Sequence, residues 1–155
     1  VSRRVSLTGI AIAAACLVAA PAFAGNGVGI TASKKENGPF TSNPANVNME
    51  IGDVKSIWFK VKNRTGQRVN GIGFEFNHKA TPGAFTVRVF DGKRNVSQDA
   101  LGDGHRFGLK SGEANKLQVR LKQKDPGAMC FNATAEKPSV GDDTVPGSVN
   151  AAGLC

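Results

Sequence analysis

Tyrosine is absent from this 155-residue sequence, tryptophan occurs once, and cysteine occurs three times. So few cysteines exclude a disulfide-dense miniature scaffold. Cysteines that remain after export, together with His78 and His105, show no ligand spacing, so no metal site is read and no cofactor is expected. Acidic side chains are scarce as well: 12 Asp and Glu stand against 20 Lys and Arg, for a formal net charge of +8. That excess favours anionic partners such as teichoic or uronic polymers, lipid headgroups or nucleic acid. The basic residues are dispersed rather than run together, and no specific nucleic-acid binding is expected. No nucleophile motif of the G-x-S-x-G type occurs. Gly71-Ile-Gly73 precedes a strand rather than a helix, so it is no phosphate loop. Without a catalytic constellation, the chain is not read as an enzyme. No window carries the helical period, and no internal repeat is visible.

What is present begins with a leader. Arg3 and Arg4 precede an apolar run from about Val5 to Ala20, and Ala22-Phe23-Ala24 supplies a small-x-small cleavage site. This is the pattern of a secretory signal peptide over residues 1–24. After its removal no transmembrane anchor is expected, and the protein is read as secreted or associated with the cell envelope. Residues 25–46, rich in Gly, Asn, Ser, Lys and Pro, read as a flexible leader with at most a short strand around Val28–Ala32. Residues 47–155 read as one domain.

That domain is organised around Val54–Asn77. Ile57, Phe59 and Val61 alternate with Trp58, Lys60 and Lys62; past a Gly-containing break, Ile72, Phe74 and Phe76 resume the period of two. Such alternation between turn residues marks half-buried strands. It recurs in Val47–Ile51 (Val47, Met49 and Ile51 inward), Phe85–Asp91, His105–Leu109, Asn115–Lys122 and Ala128–Lys137, with a final weak strand at Thr144–Ala151. Val96 and Leu101 are expected to pack against an edge. Seven or eight short strands with frequent turns predict an all-β antiparallel sandwich. Its core is expected to hold Ile57, Phe59, Val61, Ile72, Phe74, Phe76, Phe85, Val87, Val89, Leu117, Val119, Leu121 and Phe131.

Three stretches carry a family resemblance. Trp58-Phe-Lys-Val-Lys-Asn-Arg-Thr-Gly66 resembles the F-x-V-x-N-x-G strand and turn of bacterial extracellular Ig-like modules. Phe85-Thr-Val-Arg-Val-Phe-Asp-Gly92 resembles their next motif. Phe107–Glu113 followed by Leu117–Leu121 resembles their L-x-x-G step to a valine-bearing strand. The resemblance covers roughly Val54–Ala135 and implies an Ig-like β-sandwich with a spacer, adhesive or accessory role.

In such sandwiches the second and fifth strands commonly share a sheet. Trp58, Lys60 and Lys62 would then lie beside Gln118, Arg120 and Lys122 on one solvent face, suited to an anionic cell-wall polymer or an extracellular protein. The function expected is a non-catalytic module that binds or spaces. The alternative is a secreted inhibitor-like or effector protein that engages another protein through loops such as Ala80–Gly83 or Gly102–His105. Asn63-Arg-Thr65, Asn95-Val-Ser97 and Asn132-Ala-Thr134 match the glycosylation sequon, but Asn and Thr equally suit turns and strands.

Two outcomes are expected on the exported chain. N-terminal sequencing should begin at Gly25; retention of Arg3 and Arg4, or a lipid-modified Cys16 at the terminus, overturns the leader. The even pair Cys130 and Cys155 should form a disulfide, since a hairpin turning near residue 140 brings Cys130 opposite about residue 150. Thiol titration of unfolded, unreduced protein should find no free thiol, and two free thiols would sink the bridge. Closing a loop of about 25 residues contributes on the order of 3 kcal/mol by the chain-entropy estimate, so Cys155→Ser should lower the melting temperature and fray the last strand.

Overall fold

The structure, a computed structural model, describes residues 27–137 and 143–150. The signal segment and its cleavage site, the Pro138–Asp142 turn, and Cys155 lie outside the described residues. The elements are β1 (Val28–Ser33), β2 (Ala45–Val47), β3 (Val54–Asn63), β4 (Val69–Ala80), β5 (Phe85–Asp91), β6 (Arg94–Asn95), α1 (Ser97–Ala100), β7 (His105–Leu109), β8 (Ala114–Gln123), β9 (Met129–Glu136) and β10 (Asp143–Val149). They form two five-stranded sheets, ordered β1-β3-β8-β5-β6 and β2-β10-β9-β4-β7. Seven strands trace the ABED and CFG sheets of an immunoglobulin sandwich: β1, β3, β8 and β5 in one, β4, β9 and β10 in the other. The short strands β2, β6 and β7 are additions at the sheet edges. They take the strand count past the seven or eight expected, and the fold is an all-β, Ig-like sandwich.

The alternation of Val54–Asn77 builds the core by placing β3 and β4 in opposite sheets. Their apolar faces meet across the interior: the Phe59 ring lies 5.7 Å from Phe74, 6.0 Å from Phe76 and 6.4 Å from Phe131. Phe76 and Phe131 approach to 4.9 Å. Such ring pairs add about 0.5–1.5 kcal/mol each beyond the apolar area they bury. The expected core residues are buried, except that Phe85 and Val87 are partly covered at its border. Met129, Ala133, Ala135, Val145 and Val149 complete the opposite sheet's inner face. Gly147 in β10 serves the same packing, because a Cβ there would overlap the Phe131 ring and lie 2.7 Å from the Ala45 carbonyl oxygen.

Four expectations are corrected. Residues 25–46 are not a flexible leader throughout: the short strand expected around Val28–Ala32 is present as β1, and a second, β2, begins at Ala45. Val28, Ile30 and Ala32 are buried as β1 pairs with β3, and Ala45 and Val47 as β2 runs parallel to β10. Their apolar alternation outweighs the polar composition around them. The Ile30 amide donates to the Asp143 carboxylate of β10 at 2.7 Å, and Ala32 exchanges two backbone hydrogen bonds with Thr41, so the outer edge of β1 is partly capped. Ile51 does not point inward; it sits in a turn and is 60% exposed, because the chain bends after Met49 toward Gly52, which has φ 92°. One helical turn, α1, occurs where none was expected; it seats Val96, Ala100 and Leu101 against the core. The last strand is no weak appendage: β10 lies between β2 and β9. Its register puts Ser148 opposite Cys130, close to the position expected for that hairpin.

Asn63 closes the frame. It is fully buried, with Nδ2 within hydrogen-bond reach of the carbonyls of Gln67 (2.7 Å), Leu109 (3.0 Å) and Lys110 (3.1 Å). Its Oδ1 accepts from the Thr65 amide and hydroxyl at 2.9 and 2.8 Å. The sequon at Asn63 is therefore an Asx turn that ties the β3–β4 crossover to the end of β7. Asn63→Asp turns a carboxylate toward three carbonyl oxygens and removes their donor. It should lower the unfolding free energy by about 3 kcal/mol in urea denaturation; a variant as stable as the parent would show that the amide is dispensable.

Candidate functional site: a cationic sheet face

The outward face of the β1-β3-β8-β5-β6 sheet is set by strand alternation. Once Ile57, Phe59 and Val61 point inward on β3, Trp58, Lys60 and Lys62 must point out. On β8 the inward Leu117, Val119 and Leu121 leave Lys116, Gln118, Arg120 and Lys122 outside, and on β5 the buried Val89 leaves Arg88 and Phe90 outside. Strands β3 and β8 are direct antiparallel neighbours, as are β8 and β5. The six residues Trp58, Lys60, Lys62, Gln118, Arg120 and Lys122 thus lie together on one face.

Register divides this face into rows. Lys60 stands opposite Lys116. The next outward row is Trp58, Gln118 and Phe90. Beyond it Ser56, Arg120 and Arg88 line up, and then Lys122 opposite Thr86. With about 3.4 Å of rise per residue, successive rows are roughly 7 Å apart and the two like-charged pairs roughly 14 Å apart. Aromatic rings lie beside the cations. The Lys60 ammonium sits 4.6 Å and that of Lys116 5.9 Å from the centroid of Phe40, and the Arg120 guanidinium lies 5.0 Å from that of Phe90. Lys116 also donates to Asn37 Oδ1 at 2.8 Å. Gln118 Nε2 donates to Ser56 Oγ at 2.8 Å. Arg64 extends the basic surface, its guanidinium lying over Gly29, where a Cβ would stand 3.0 Å away.

Among the described residues no ion pair joins a carboxylate to these cations. Of those residues, Lys55 Nζ lies 3.4 Å from Asp53 Oδ2, and His105 Nε2 and Nδ1 lie 2.9 Å and 3.9 Å from the carboxylates of Asp91 and Asp99. Like charges directly opposite on neighbouring strands disfavour pairing, and this face has two such pairs, Lys60–Lys116 and Arg88–Arg120. The rings of Phe40 and Phe90 offset part of that repulsion through cation–π attraction.

The parity of β3 and β8 shows six residues of the face in the sequence. Lys116 was legible by the same parity, two positions before Gln118. Arg88 and Phe90 needed the adjacency of β5 and β8, and Phe40 needed the docking of the 34–41 loop; no local signal carries either.

A second polar cluster lies at the sandwich rim. His105 is buried, with Nε2 2.9 Å from Asp91 Oδ2, whose Oδ1 accepts from Asn115 Nδ2 at 3.2 Å. No Ser, Thr or Cys of the described residues hydrogen-bonds that histidine, and Ser97 is engaged with Val89 and Asn95. Among the described residues no group of three or more His, Cys, Asp and Glu is placed to hold a metal ion. The Gly102–His105 loop is drawn in by the buried His105, whereas the Ala80–Gly83 turn is largely exposed.

No protein-family model matches the chain, and no curated protein matches its sequence. Among solved structures, a family 123 glycoside hydrolase from Clostridium perfringens is similar with a TM-score of 0.54 and 10% identity, over 79% of this chain and 26% of that one. The chain thus spans about a quarter of that hydrolase's length, and the likeness is one of fold. The PapD-like domain 7 of human CEP192 has a TM-score of 0.40 at 11% identity, covering 95% of this chain and 94% of its own. The pilus backbone RrgB of Streptococcus pneumoniae has a TM-score of 0.34 at 15% identity, covering 74% and 55%.

The like-charged rows carry a stability prediction. Arg88→Glu replaces a repulsive cross-strand pair with an attractive one. It should raise the melting temperature at low ionic strength by roughly 1–4 °C, with the gain shrinking in salt. No rise would mean that Arg88 and Arg120 do not feel each other.

Proposed function

We propose that this chain is an extracellular, non-catalytic Ig-like module that holds an anionic polymer of the cell envelope on the β3–β8–β5 face. The observation that carries the reading is the juxtaposition of Lys60 with Lys116 and of Arg88 with Arg120, with no ion pair to either among the described residues. A sheet face selected only for solubility gains by alternating charges across strands. Two repulsive pairs lower stability unless a polyanion neutralises them, and the trade is expected at a binding surface. Lys62 and Lys122 extend the field beyond both pairs, which favours a linear ligand over a single small anion. The leader at residues 1–24 supports export, and the His105–Asp91 pair is read as structural.

Binding of this kind weakens with salt, because exposed charges are screened over about 10 Å at 0.1 M. The variant with Lys60, Lys62, Arg120 and Lys122 all changed to Ser should lose retention on immobilised anionic wall polymer at low salt while unfolding cooperatively. Retention equal to the parent's would overturn the proposal.

A further inference from the structure

We infer that the polymer is an acidic polysaccharide, whose sugar rings lie on the Trp58–Gln118–Phe90 row while its carboxylates reach the cation pairs on either side. This rests on the reading of the face as a polyanion site and specifies the ligand's chemistry. Three observations lead to it.

The first is the order of the rows. Cation pairs at Lys60–Lys116 and Arg88–Arg120 flank a row that carries no charge. A polymer of closely spaced phosphates is better met by an unbroken track of cations. A ligand whose charges hang from bulky, uncharged rings matches charge, ring and charge in turn.

The second is the surface between them. Trp58 is half-buried on the outward side of β3, so part of its surface lies against the protein and part reaches solvent. The face of an aromatic ring is the negative pole of its quadrupole. The axial C–H groups of a sugar ring are weakly positive and flat enough to lie against it. Polyol or simple polyphosphate chains present no such surface.

The third is a hydrogen-bond acceptor. The Gln118 side-chain nitrogen is committed to Ser56, and its Oε1 receives no hydrogen bond from the described residues. Sugar hydroxyls donate to such an oxygen, whereas phosphodiester oxygens only accept. The Arg88 and Arg120 guanidinium groups suit carboxylate through their paired N–H donors.

The experiment uses the secreted protein itself, because Trp58 is the chain's one tryptophan and its emission reports directly on the ring row. Polygalacturonate, inorganic polyphosphate, a single-stranded oligodeoxynucleotide and a neutral glucan are titrated at equal low ionic strength. Polygalacturonate should bind saturably with a change in Trp58 emission, and a four-ring oligouronate should bind much more tightly than a two-ring one, since it reaches both cation pairs. Trp58→Leu, checked for an unchanged melting transition, should weaken polygalacturonate by about tenfold, the scale of losing one stacking contact, and leave polyphosphate within about twofold. If polyphosphate binds as tightly per charge and Trp58→Leu weakens neither polymer, the glycan inference is overturned while the cationic face stands. Preferential binding of the oligonucleotide, lost in Trp58→Leu, also overturns it in favour of base stacking. If none of the three polyanions binds, the polyanion reading itself is overturned. Should Trp58→Leu fail to fold, parent emission unmoved by saturating polygalacturonate overturns the inference alone.

Discussion

The contact of the Phe59 ring with Phe74, Phe76 and Phe131 is the interaction on which the rest of the sandwich depends. Phe59 belongs to one sheet and the other three rings to the opposite one. Buried aromatic surface is non-directional in its gain but specific in its geometry. Fixing this cluster sets the facing register of β3 and β4, and with it the parity of every residue on both strands. The outward placement of Trp58, Lys60 and Lys62 is a consequence of where Phe59 points.

Asn63 complements that cluster at the end of β3. An apolar core holds the sheets together without saying where the chain should leave one for the other. The Asn63 amide does so by serving three carbonyls and a threonine, and it draws the β7–β8 turn against the crossover. Buried polar groups of this sort are costly unless fully satisfied, so they select one arrangement among near equals. The crossover and the cationic face share β3, and disorder at its far end would scramble the rows in which the cations stand.

Most of the frame was legible because its signal is local. The period of two in Val54–Asn77, Asn115–Lys122 and Ala128–Lys137 needs no knowledge of neighbours. Val28, Ile30 and Ala32 alternate as well and gave the short strand expected there, but the polar residues that follow made the rest of 25–46 read as leader and hid β2. Ile51 kept the parity of Val47 and Met49 on paper, but β2 ends at Val47 and Ile51 lies with Gly52 in a turn, where that parity no longer applies. Residues whose role depends on distant partners were the hardest. Asn63 looks like a sequon until Leu109 and Lys110 arrive from across the fold. Phe40 looks like an isolated aromatic in a polar segment until its loop brings it over Lys60 and Lys116.

The hydrogen bond from the Ile30 amide to Asp143 has a temporal side. Strand β1 is made well before β10, so a folding chain leaves the Ile30 amide on the outer edge of β1 open until β10 is laid down. Unpaired edges are templates for another chain's backbone, and partly folded species with such edges are prone to self-association. The carboxylate that guards this edge arrives only with completion of the opposite sheet. Protection of the Ile30 end of this edge is thereby conferred late, and the interval before β10 docks is when many copies folding close together carry the greatest risk.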